Sequence, residues 1–497
     1  MPIPFLYDPV KSCLVRLSSI LAFLSLAAIA GCRAGGPTAD VGPLEKLNAE
    51  PGGFTRSSLI YSAALSATAN GRAVAAWMRG VGKFQPVVYR RTGDANGSFG
   101  PEAFLSPETL RDTISTVPAL QSGTQAAQLY AMWQARRPTS GDKFVVFRES
   151  GDAGATWSEG VALNTQPSAF LPAMAMDRDG AIYVVWIDER ERGLRVFFNR
   201  SLDHGRTWLP SDVRIDGILY RSAGAVSVSV ASDGAGRVLA VWEERGGGGR
   251  SIQATASQDR GTTWGLPMRV DDATSRLSPL SPSAVFASGR AIVAWTAASG
   301  GSRTIGQVWG DVSSDGGLTW ATDVLVHQVE GGVAPRLHLV SDGSKARMAF
   351  HAGRRSVTGI YYAESDANGA WPTGDARVRR VSAPETRCTS PRLAVDAFGA
   401  VYVTYEEDDR RIGLVRSANG GVTWDAPNLV YEVPPAELSA TAHLPQVAVA
   451  DGPAYVMWEV WTDAPEDKPK TLAEADKPRP ADLYVRRVTF PPASSGR

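Results

Sequence analysis

Charged side chains recur directly after short apolar runs that each end in an aromatic residue. In the clearest case, Asp188 and Arg190 follow the run that ends at Trp186. Arginine can clamp a carboxylate through two parallel hydrogen bonds, so a surface that gathers several arginines is a candidate for recognising a ligand. One such residue alone is usually a solvated loop charge. The residues after the runs are Arg79, Arg136, Asp188, Glu189, Arg190, Glu243, Glu244, Arg245, His351, Arg354, Glu406, Glu407 and Glu459, joined near the starts of other runs by Arg336, Arg392 and His443.

No other constellation in the sequence carries recognisable catalytic or metal chemistry. The five histidines are scattered, and neither an HExxH nor a CxxC spacing offers a metal site. The sequence has no GxSxG nucleophile elbow and no phosphate-binding glycine loop. We therefore expect no metal and no cofactor. Lys plus Arg and Asp plus Glu both number 51, without long runs of one sign, so no nucleic-acid partner is expected either.

An eight-residue motif is repeated along the chain. SLDHGRTW at 201–208 and SQDRGTTW at 257–264 share serine, aspartate, glycine, threonine and tryptophan at fixed positions. Repetition of this kind is typical of a fold built from similar units. The other copies are 150–157, 313–320, 417–424 (with Asn419 in place of the aspartate) and two degenerate ones at 92–99 and 364–371.

The aromatic residues that end the apolar runs give the period of the repeat. Successive ones are 53 to 56 residues apart. Another short apolar run precedes each aromatic and a fourth follows each octapeptide, so one unit contains four short strands. This pattern predicts an all-β fold, a single β-propeller of four-stranded blades, with eight blades as the count and seven as the alternative. The aromatics are Trp77, Trp133, Trp186, Trp242, Trp295, Phe350, Tyr405 and Trp458.

The hydrophobic pattern explains why the units must close into a ring. The second strand at 182–186 is apolar on both of its faces, so each sheet needs a neighbour on either side. The last unit lacks an octapeptide and a clear fourth strand, whereas 43–51 reads much like the fourth strand at 160–167. We expect the N-terminal strand to complete the last blade and close the ring.

The octapeptide resembles the Asp-box, or BNR repeat, of the sialidase superfamily. In such a hairpin between strands three and four, the acid accepts backbone N–H groups, the glycine takes a positive φ and the tryptophan packs on apolar neighbours. We interpret these residues as structural, because one copy per blade spreads them around the ring. A ligand site is then expected on the opposite rim. The structural Asp-box positions are Asp152, Asp203, Asp259, Asp315 and Asn419.

The resemblance also suggests a catalytic mechanism that can be compared with this sequence. Sialidases hold the substrate carboxylate with three arginines, and use a glutamate-activated tyrosine as nucleophile and an aspartate as acid/base. Their first arginine lies two residues before a proline, whereas Arg336 and Arg392 follow the proline here and should face the other way. Tyr405 and Glu406 form the Tyr–Glu pair on the candidate rim, but Tyr405 holds the repeated core position. The positions matching the first arginine are Thr116, Phe170, Leu280, Val333, Thr389 and His443.

The N-terminal segment has the features of an export signal. Lys11 and Arg16 precede an apolar run at 17–29 that is short for a membrane span. The run leads into Ile-Ala-Gly-Cys32, which resembles the lipobox of bacterial lipoproteins, so we expect Cys32 to be the lipid attachment site. An ordinary signal peptide is the alternative. Arg33 in place of the aspartate linked to inner-membrane retention favours the outer membrane or cell surface.

These features divide the chain into a lipoprotein signal peptide at 1–31, an anchor linker at 32–42 and a propeller at 43–497. Cys13 leaves with the signal, so Cys388 would be the one cysteine of the mature domain and no internal disulfide could form. The loop at 462–481, rich in Pro, Lys, Asp and Glu, interrupts the last blade. It is either a disordered segment or a contact arm.

The sequence thus predicts a monomeric, lipid-anchored envelope propeller that touches the membrane only through its lipid. Its Asp-box-free rim would bind a glycan or a protein ligand without turnover. The alternative is an exo-α-sialidase-type glycoside hydrolase, or a related lyase, with a divergent site. A scaffold for envelope complexes is a third hypothesis.

Overall fold

The computed structural model of the chain describes most of the predicted propeller. The segment 1–38, which contains Cys32, and the centre of the 462–481 loop lie outside the described residues. No helix that is long and apolar enough to cross a membrane occurs in the described part of the chain. The described residues are 39–48, 54–56, 63–80, 84–92, 97–191, 193–217, 224–246, 249–272, 278–298, 305–330, 336–354, 357–373, 378–437, 439–449, 452–462 and 479–491.

The described strands form eight antiparallel sheets, which are the blades of the propeller, and Glu108–Leu110 forms one 3-10 turn. Three short N-terminal strands come first: β1 (Asp40–Val41), β2 (Glu45–Lys46) and β3 (Phe54–Arg56). Blades 1 to 4 contain, in order, β4 (Ala63–Ala67), β5 (Ala73–Met78), β6 (Val87–Arg91), β7 (Ala103–Phe104); β8 (Ile114–Ser122), β9 (Leu129–Arg136), β10 (Lys143–Ser150), β11 (Val161–Ala162); β12 (Ala169–Met176), β13 (Ile182–Asp188), β14 (Arg195–Ser201), β15 (Val213–Arg214); β16 (Gly224–Ser232), β17 (Val238–Gly246), β18 (Gly249–Ser257) and β19 (Met268–Arg269). Blades 5 to 8 contain β20 (Ser278–Ala287), β21 (Arg290–Ala298), β22 (Ile305–Ser313), β23 (Val324–Glu330); β24 (Leu337–Ser341), β25 (Ala346–Arg354), β26 (Val357–Glu364), β27 (Arg379–Arg380); β28 (Cys388–Val395), β29 (Val401–Glu407), β30 (Arg411–Ser417), β31 (Asn428–Glu432); β32 (Thr441–Val449), β33 (Ala454–Trp461) and β34 (Arg479–Thr489).

The first strands of neighbouring blades pack against one another around the ring axis. The first strand of blade 8, β32, also packs against that of blade 1, β4, so the ring is closed. The eight-bladed all-β propeller expected from the sequence is confirmed. Because closure leaves each sheet with a neighbour on both sides, it removes the long unpaired edges that an open row of sheets would expose.

The N-terminal segment closes the last blade, as predicted. β1, β2 and β3 all pair antiparallel with β34, with Asp40 opposite Thr489 and Glu45 opposite Val485. One long strand from the end of the chain is therefore covered by three short ones from its beginning. The ring cannot open without separating the two termini, so these pairings act as its clasp.

The second strand of each blade carries the core. All seven residues of β13 are buried, as the doubly apolar pattern predicts. Trp186 and its face belong to a cluster shared with blade 2, whereas Tyr183 on the other face packs with Trp242 of blade 4. Burying a large apolar side chain stabilises the folded state by roughly 1.5–3 kcal/mol. Each blade therefore gains stability from the neighbours that cover its two faces.

The Asp-box hairpins link each blade to the one before it. In the copy at 201–208, the Asp203 carboxylate accepts the Thr207 amide at 2.8 Å and the Thr207 hydroxyl at 2.6 Å. The Ser201 hydroxyl accepts the amide of Gly205, whose φ is 89°. Trp208 then packs edge-on against Phe147 of the preceding blade, with ring centroids 5.0 Å apart. The hairpin thus satisfies its own polar groups and places one aromatic side chain between blades.

The two rims of the ring can be defined from these connections. Asp179, in the turn between strands one and two of blade 3, pairs with Arg260 of an Asp-box at 2.7 Å. Those turns and the Asp-boxes therefore share one side, which we call the Asp-box rim. Lys143, at the start of β10, and Glu189, in the loop after β13, pair at 2.5 Å on the other side, the loop rim. Cys388, at the start of β28, is a buried free thiol.

Candidate functional site

The acidic residues expected on the loop rim are largely buried. Glu243, Glu406 and Glu459 are 2–5 % exposed, and Asp188 is fully buried. They lie at the ends of the second strands, where the apolar run stops. Their carboxylates make contacts between strands and between blades. These four acids therefore do not lie on the surface, although each comes directly after an apolar run.

Glu406 connects blade 7 to blade 8. Its Oε1 accepts the Leu444 amide at 2.7 Å, and its Oε2 accepts the Thr389 hydroxyl at 2.8 Å. Burial alone would raise the pKa of Glu406, but hydrogen bonds from His443, Leu444 and Thr389 lower it to about 2. A carboxylate held this way is an acceptor for its neighbours and not a free acid or base.

The same link occurs between two other pairs of blades. Glu243 accepts the Ser281 amide at 3.1 Å, and the Gln134 side-chain oxygen accepts the Leu171 amide at 3.4 Å. In each case the acceptor directly follows the core aromatic of one blade, and the donor precedes a proline in the first strand of the next. We call this contact the inter-blade latch.

The donors of the latch sit in strained backbone. Leu171, Ser281 and Leu444 have φ near +50°, and Ser390 adopts the same conformation before its own proline. The pairing register shifts at these points, so each is a β-bulge in a first strand. A non-glycine residue in this region costs about 1–3 kcal/mol, and such strain persists only where surrounding contacts hold it. The latch supplies one of those contacts.

Asp188 and Glu244 have a second structural role. Asp188 accepts the Trp186 indole N–H at 3.0 Å, and Glu244 accepts that of Trp242 at 2.9 Å. Asp188 also binds Arg190, at 2.6 Å. The sequence predicts these residues as ligand contacts. In the structure they instead accept the indole N–H groups of two buried core tryptophans.

The predicted arginines divide between paired and exposed positions. Arg79 pairs with Glu102 at 2.6 Å, while Arg190 bridges two aspartates and lies over a phenylalanine ring. Arg136 and Arg336 are exposed and form no ion pair with another described residue, and Arg245 is 54 % exposed and lies 3.5 Å from Glu243. Arg354 ends β25, and its side chain lies outside what the structure describes.

Arg392 lies half-buried inside the ring beside His338, a histidine that sequence reasoning did not select. The His338 Nδ1 accepts the Leu393 amide at 3.1 Å. Burial and the nearby Arg392 charge lower the pKa of His338 to about 3, so this imidazole is neutral at physiological pH. Arg336 and Arg392, which the sequence placed together near the first strands, thus differ in environment: one is at the surface and the other is inside.

His443 is the predicted residue with the most distinctive surroundings. Its ring lies against that of Trp461, with centroids 4.0 Å apart and the planes tilted by 38°, and its Nδ1 lies 3.5 Å from Glu406. Both rings are partly exposed, which gives the loop rim an accessible aromatic pair. Sequence reasoning missed Trp461; its position three residues after the core Trp458, beyond the buried part of the strand, is the signal that could have indicated it.

Glu406, Asp409 and His443 are the described residues whose ligand atoms come close enough to suit a cation, within 4.8 Å of one another. Their hydrogen bonding argues against that use. Both Glu406 oxygens accept bonds from the protein, and Asp409 pairs with Arg387 at 2.6 Å. The group is better described as a closed polar network that joins blades 7 and 8.

Two cavities open on the Asp-box rim, the side that sequence reasoning set aside. One of about 450 Å³ lies between the degenerate octapeptide of blade 6 and the Asp-box of blade 7. The other, of about 520 Å³, is lined by first-strand residues and turns of blades 2 to 6, and so lies at the mouth of the central channel. Its residues include Arg178, which is not among the site residues expected from the sequence.

Comparison with known proteins agrees with this architecture. Residues 87–281 match the family model described as BNR repeat-like domain. Together with the eight-bladed ring, the match confirms the expected sialidase-like BNR-repeat propeller. A search of curated proteins gave no significant match.

Several solved structures are similar to this chain. A lectin from Burkholderia pseudomallei is 13 % identical, with 76 % of this chain and 99 % of the lectin covered at a TM-score of 0.49. An α-L-arabinanase from Penicillium chrysogenum, complexed with arabinobiose, is 15 % identical, with 67 % and 99 % covered at 0.40. A Hadza microbial sialidase is 14 % identical, with 72 % and 73 % covered at 0.36. These neighbours are glycan-related.

Proposed function

We propose that this protein is a lipid-anchored propeller of the bacterial envelope that binds an acidic glycan on its loop rim and does not cleave it. The observation that carries the proposal is the exposure pattern of the rim. Glu243 and Glu406 are buried in latches, and Asp188 and Glu244 are buried against core tryptophans, whereas Arg136, Arg245 and Arg336 remain exposed. Arginine is the side chain best suited to bind carboxylate or sulfate groups.

The aromatic pair His443 and Trp461 supports a carbohydrate over another anion. A partly exposed indole beside an imidazole offers a flat apolar face with a polar edge, and such amphipathic rings are common at binding surfaces. Sugar rings present C–H faces of matching shape. Arginines for the acidic groups and rings for the sugar faces together favour an anionic glycan.

The geometry of Tyr405 and Glu406 supports binding without turnover. Tyr405 is fully buried against Gly413, and burial raises the pKa of its hydroxyl well above the usual range. Glu406 directs its oxygens to Thr389 and Leu444. A sialidase-type nucleophile needs an accessible tyrosine whose hydroxyl contacts the glutamate, and consecutive strand residues point to opposite faces.

Binding can be measured with polygalacturonate and its fully methyl-esterified form, which share a backbone and differ in charge. We expect the mature protein to bind the acid form, and the triple variant Arg136→Gln, Arg245→Gln, Arg336→Gln to lose about tenfold or more in affinity. Arg206→Gln, which removes an exposed arginine from the Asp-box rim, is the matched control. Equal binding of both polymers would contradict the proposal.

Turnover is tested separately with a fluorogenic sialoside and a reducing-end assay on the same polymers. We expect no product above the background of heat-denatured protein. Product formation by the native protein that disappears in the triple arginine variant would overturn the binding-only proposal and favour a glycoside hydrolase with a divergent site.

The anchor proposal rests on the lipobox resemblance at Cys32. When an extract of cells that express the full chain is separated into detergent and aqueous phases, the protein should be found in the detergent phase. The mass of its mature N-terminus should be increased by the attached lipid. Cys32→Ala should shift it to the aqueous phase, because one removed cysteine eliminates the attachment point. A Cys32→Ala protein that stays in the detergent phase at its normal mature mass would refute the anchor.

A further inference from the structure

The mouth of the central channel on the Asp-box rim is a pocket of ligand-binding size. Its volume, about 520 Å³, falls in the range typical of small-molecule sites. Met174, Phe286 and Leu339 contribute apolar walls, and Ser232 and Ser341 contribute hydroxyls. The walls come from the first strands of consecutive blades, each of which is paired with the second strand of its own sheet, so the pocket is built on regular β-structure.

Charge inside the pocket is dominated by one side chain. Asp233 pairs with Arg237 at 2.7 Å, and Asp342 pairs with Arg347, so these two acids are neutralised by their own partners. Arg178 is exposed and forms no side-chain hydrogen bond or ion pair with another described residue. The cavity therefore offers one available cation.

Arg178 extends from blade 3 across the mouth to turns of blades 4 and 6, and the missing side chain of Gly234 leaves room for its stem. Its Cγ would lie 3.1 Å from a Cβ at Gly234 in blade 4, and its Nη2 3.9 Å from one at Gly343 in blade 6. Both glycines have positive φ, so another residue there would also be strained. The turn that carries Arg178 is fixed, since Asp177 accepts the hydroxyl of Tyr183 at 2.7 Å and that of Ser232.

We propose that this channel mouth is a second binding site, specific for a sugar acid, in which Arg178 pairs with the carboxylate. The hydroxyls of the sugar meet the serines and turn backbones, while its C–H face lies on Met174 and Phe286. The site is on the rim opposite the proposed glycan surface and does not depend on it. A free sugar acid and the acidic end of a glycan chain share this chemistry.

Isothermal titration of the mature protein with D-glucuronate and D-glucose tests the site. We expect glucuronate to bind and glucose not to. Arg178→Gln should weaken binding about tenfold or more, Arg178→Lys should weaken it less, and Gln121→Glu, which adds a negative charge to the wall, should also weaken it. Arg206→Gln, an exposed arginine on the same rim outside the pocket, should leave binding within about twofold. Unchanged thermal unfolding of Arg178→Gln will show that its fold is intact.

Two results would overturn the proposal: equal affinity for glucuronate in Arg178→Gln and the parent, or no glucuronate binding at all. Loss of glucuronate binding in the triple loop-rim variant would also overturn it, by assigning the sugar acid to the other rim and leaving the proposed function standing. A trisaccharide with terminal glucuronate separates the sources. If the trisaccharide binds more tightly than glucuronate and still requires Arg178, the ligand is the end of a glycan chain. If the two bind equally and both require Arg178, the ligand is the free sugar acid. Either result supports the site.

Discussion

The two rims of this propeller use their polar residues in opposite ways. On the loop rim, acids such as Glu406 and Glu243 are buried and bind the backbone of the next blade. On the Asp-box rim, acids such as Asp203 are mostly satisfied within their own hairpins, and the tryptophan packs on the neighbouring blade. Exposed arginines are the available polar groups of the loop rim, whereas the Asp-box rim has a cavity at the mouth of the central channel. A repeated polar residue is therefore not by itself a ligand contact. Its hydrogen-bond partners show whether it is structural or free to bind a ligand.

Removing one inter-blade latch is the strongest test of whether the buried acids of the loop rim stabilise the ring. Glu406→Ala leaves the partly buried Leu444 amide and Thr389 hydroxyl without their acceptor, so we expect a loss of about 3 kcal/mol in unfolding free energy. Glu406→Gln keeps one acceptor oxygen and should lose less. The measurement is the midpoint of urea unfolding, followed by tryptophan fluorescence.

Glu432→Ala is the matched control for this experiment, because Glu432 is an exposed acid in the same blade. We expect it to change stability by no more than about 0.5 kcal/mol. If Glu406→Ala unfolds at the same urea concentration as Glu432→Ala, the latch does not stabilise the ring, and the loop-rim acids need another explanation.

A second experiment sharpens the comparison from the Asp-box side, where Asp311 is the acid that its hairpin does not satisfy. Its Oδ1 accepts the Val312 amide, but its buried Oδ2 has no partner among the described residues. The equivalent residue of blade 3, Asn199, donates from its amide to two carbonyls, those of Leu163 and Leu209. Burial raises the pKa of Asp311 to about 8.

The sign of the pH dependence follows from that shift. A folded-state pKa above the unfolded value means that the folded state holds the proton more tightly, so the contribution of Asp311 to stability is greatest below about pH 4 and falls as pH rises towards 8. Asp311→Asn should remove the fall between pH 6 and 8 and stabilise the protein at pH 9 by about 2 kcal/mol or more. Burial also raises the pKa of Asp323, to about 6, so a slope below pH 6 should remain. Thermal unfolding from pH 4 to 9 measures both. An unchanged pH profile in Asp311→Asn would show that Asp311 is ionised when folded.

Much of the fold follows from the sequence because its causes are local and repeated. The 53–56 residue period and the doubly apolar strand at 182–186 predict the blades. The incomplete last unit predicts the clasp, which pairs Glu45 with Val485. Each of these is a pattern along the chain, and closure of the ring is the arrangement that buries all of the apolar faces.

The environment of the site could not be predicted in the same way. Glu244 and Arg245 are adjacent in sequence, yet one caps a buried tryptophan and the other is 54 % exposed. The difference depends on which face of the strand each occupies and on atoms of the next blade, about 55 residues away. Arg178 was overlooked for a related reason, since its surroundings come from blades 4 and 6 and nothing near it in sequence indicates a cavity.

The smallest expected effect comes from the Asp-box itself, and it separates hairpin chemistry from ligand chemistry. Asp203→Ala removes the acceptor for the Thr207 amide and hydroxyl on a half-exposed turn, so we expect a loss of about 1 kcal/mol. Asp203→Asn should cost less than about 0.5 kcal/mol, because blade 7 already uses Asn419, whose amide oxygen accepts the Thr423 amide and whose N–H₂ donates to the Thr423 hydroxyl. Neither change should alter binding of polygalacturonate or glucuronate, since these groups bind within their own hairpins. A variant that keeps the stability of the parent but loses binding would make Asp203 a ligand contact, and the division of labour between the rims would then be wrong.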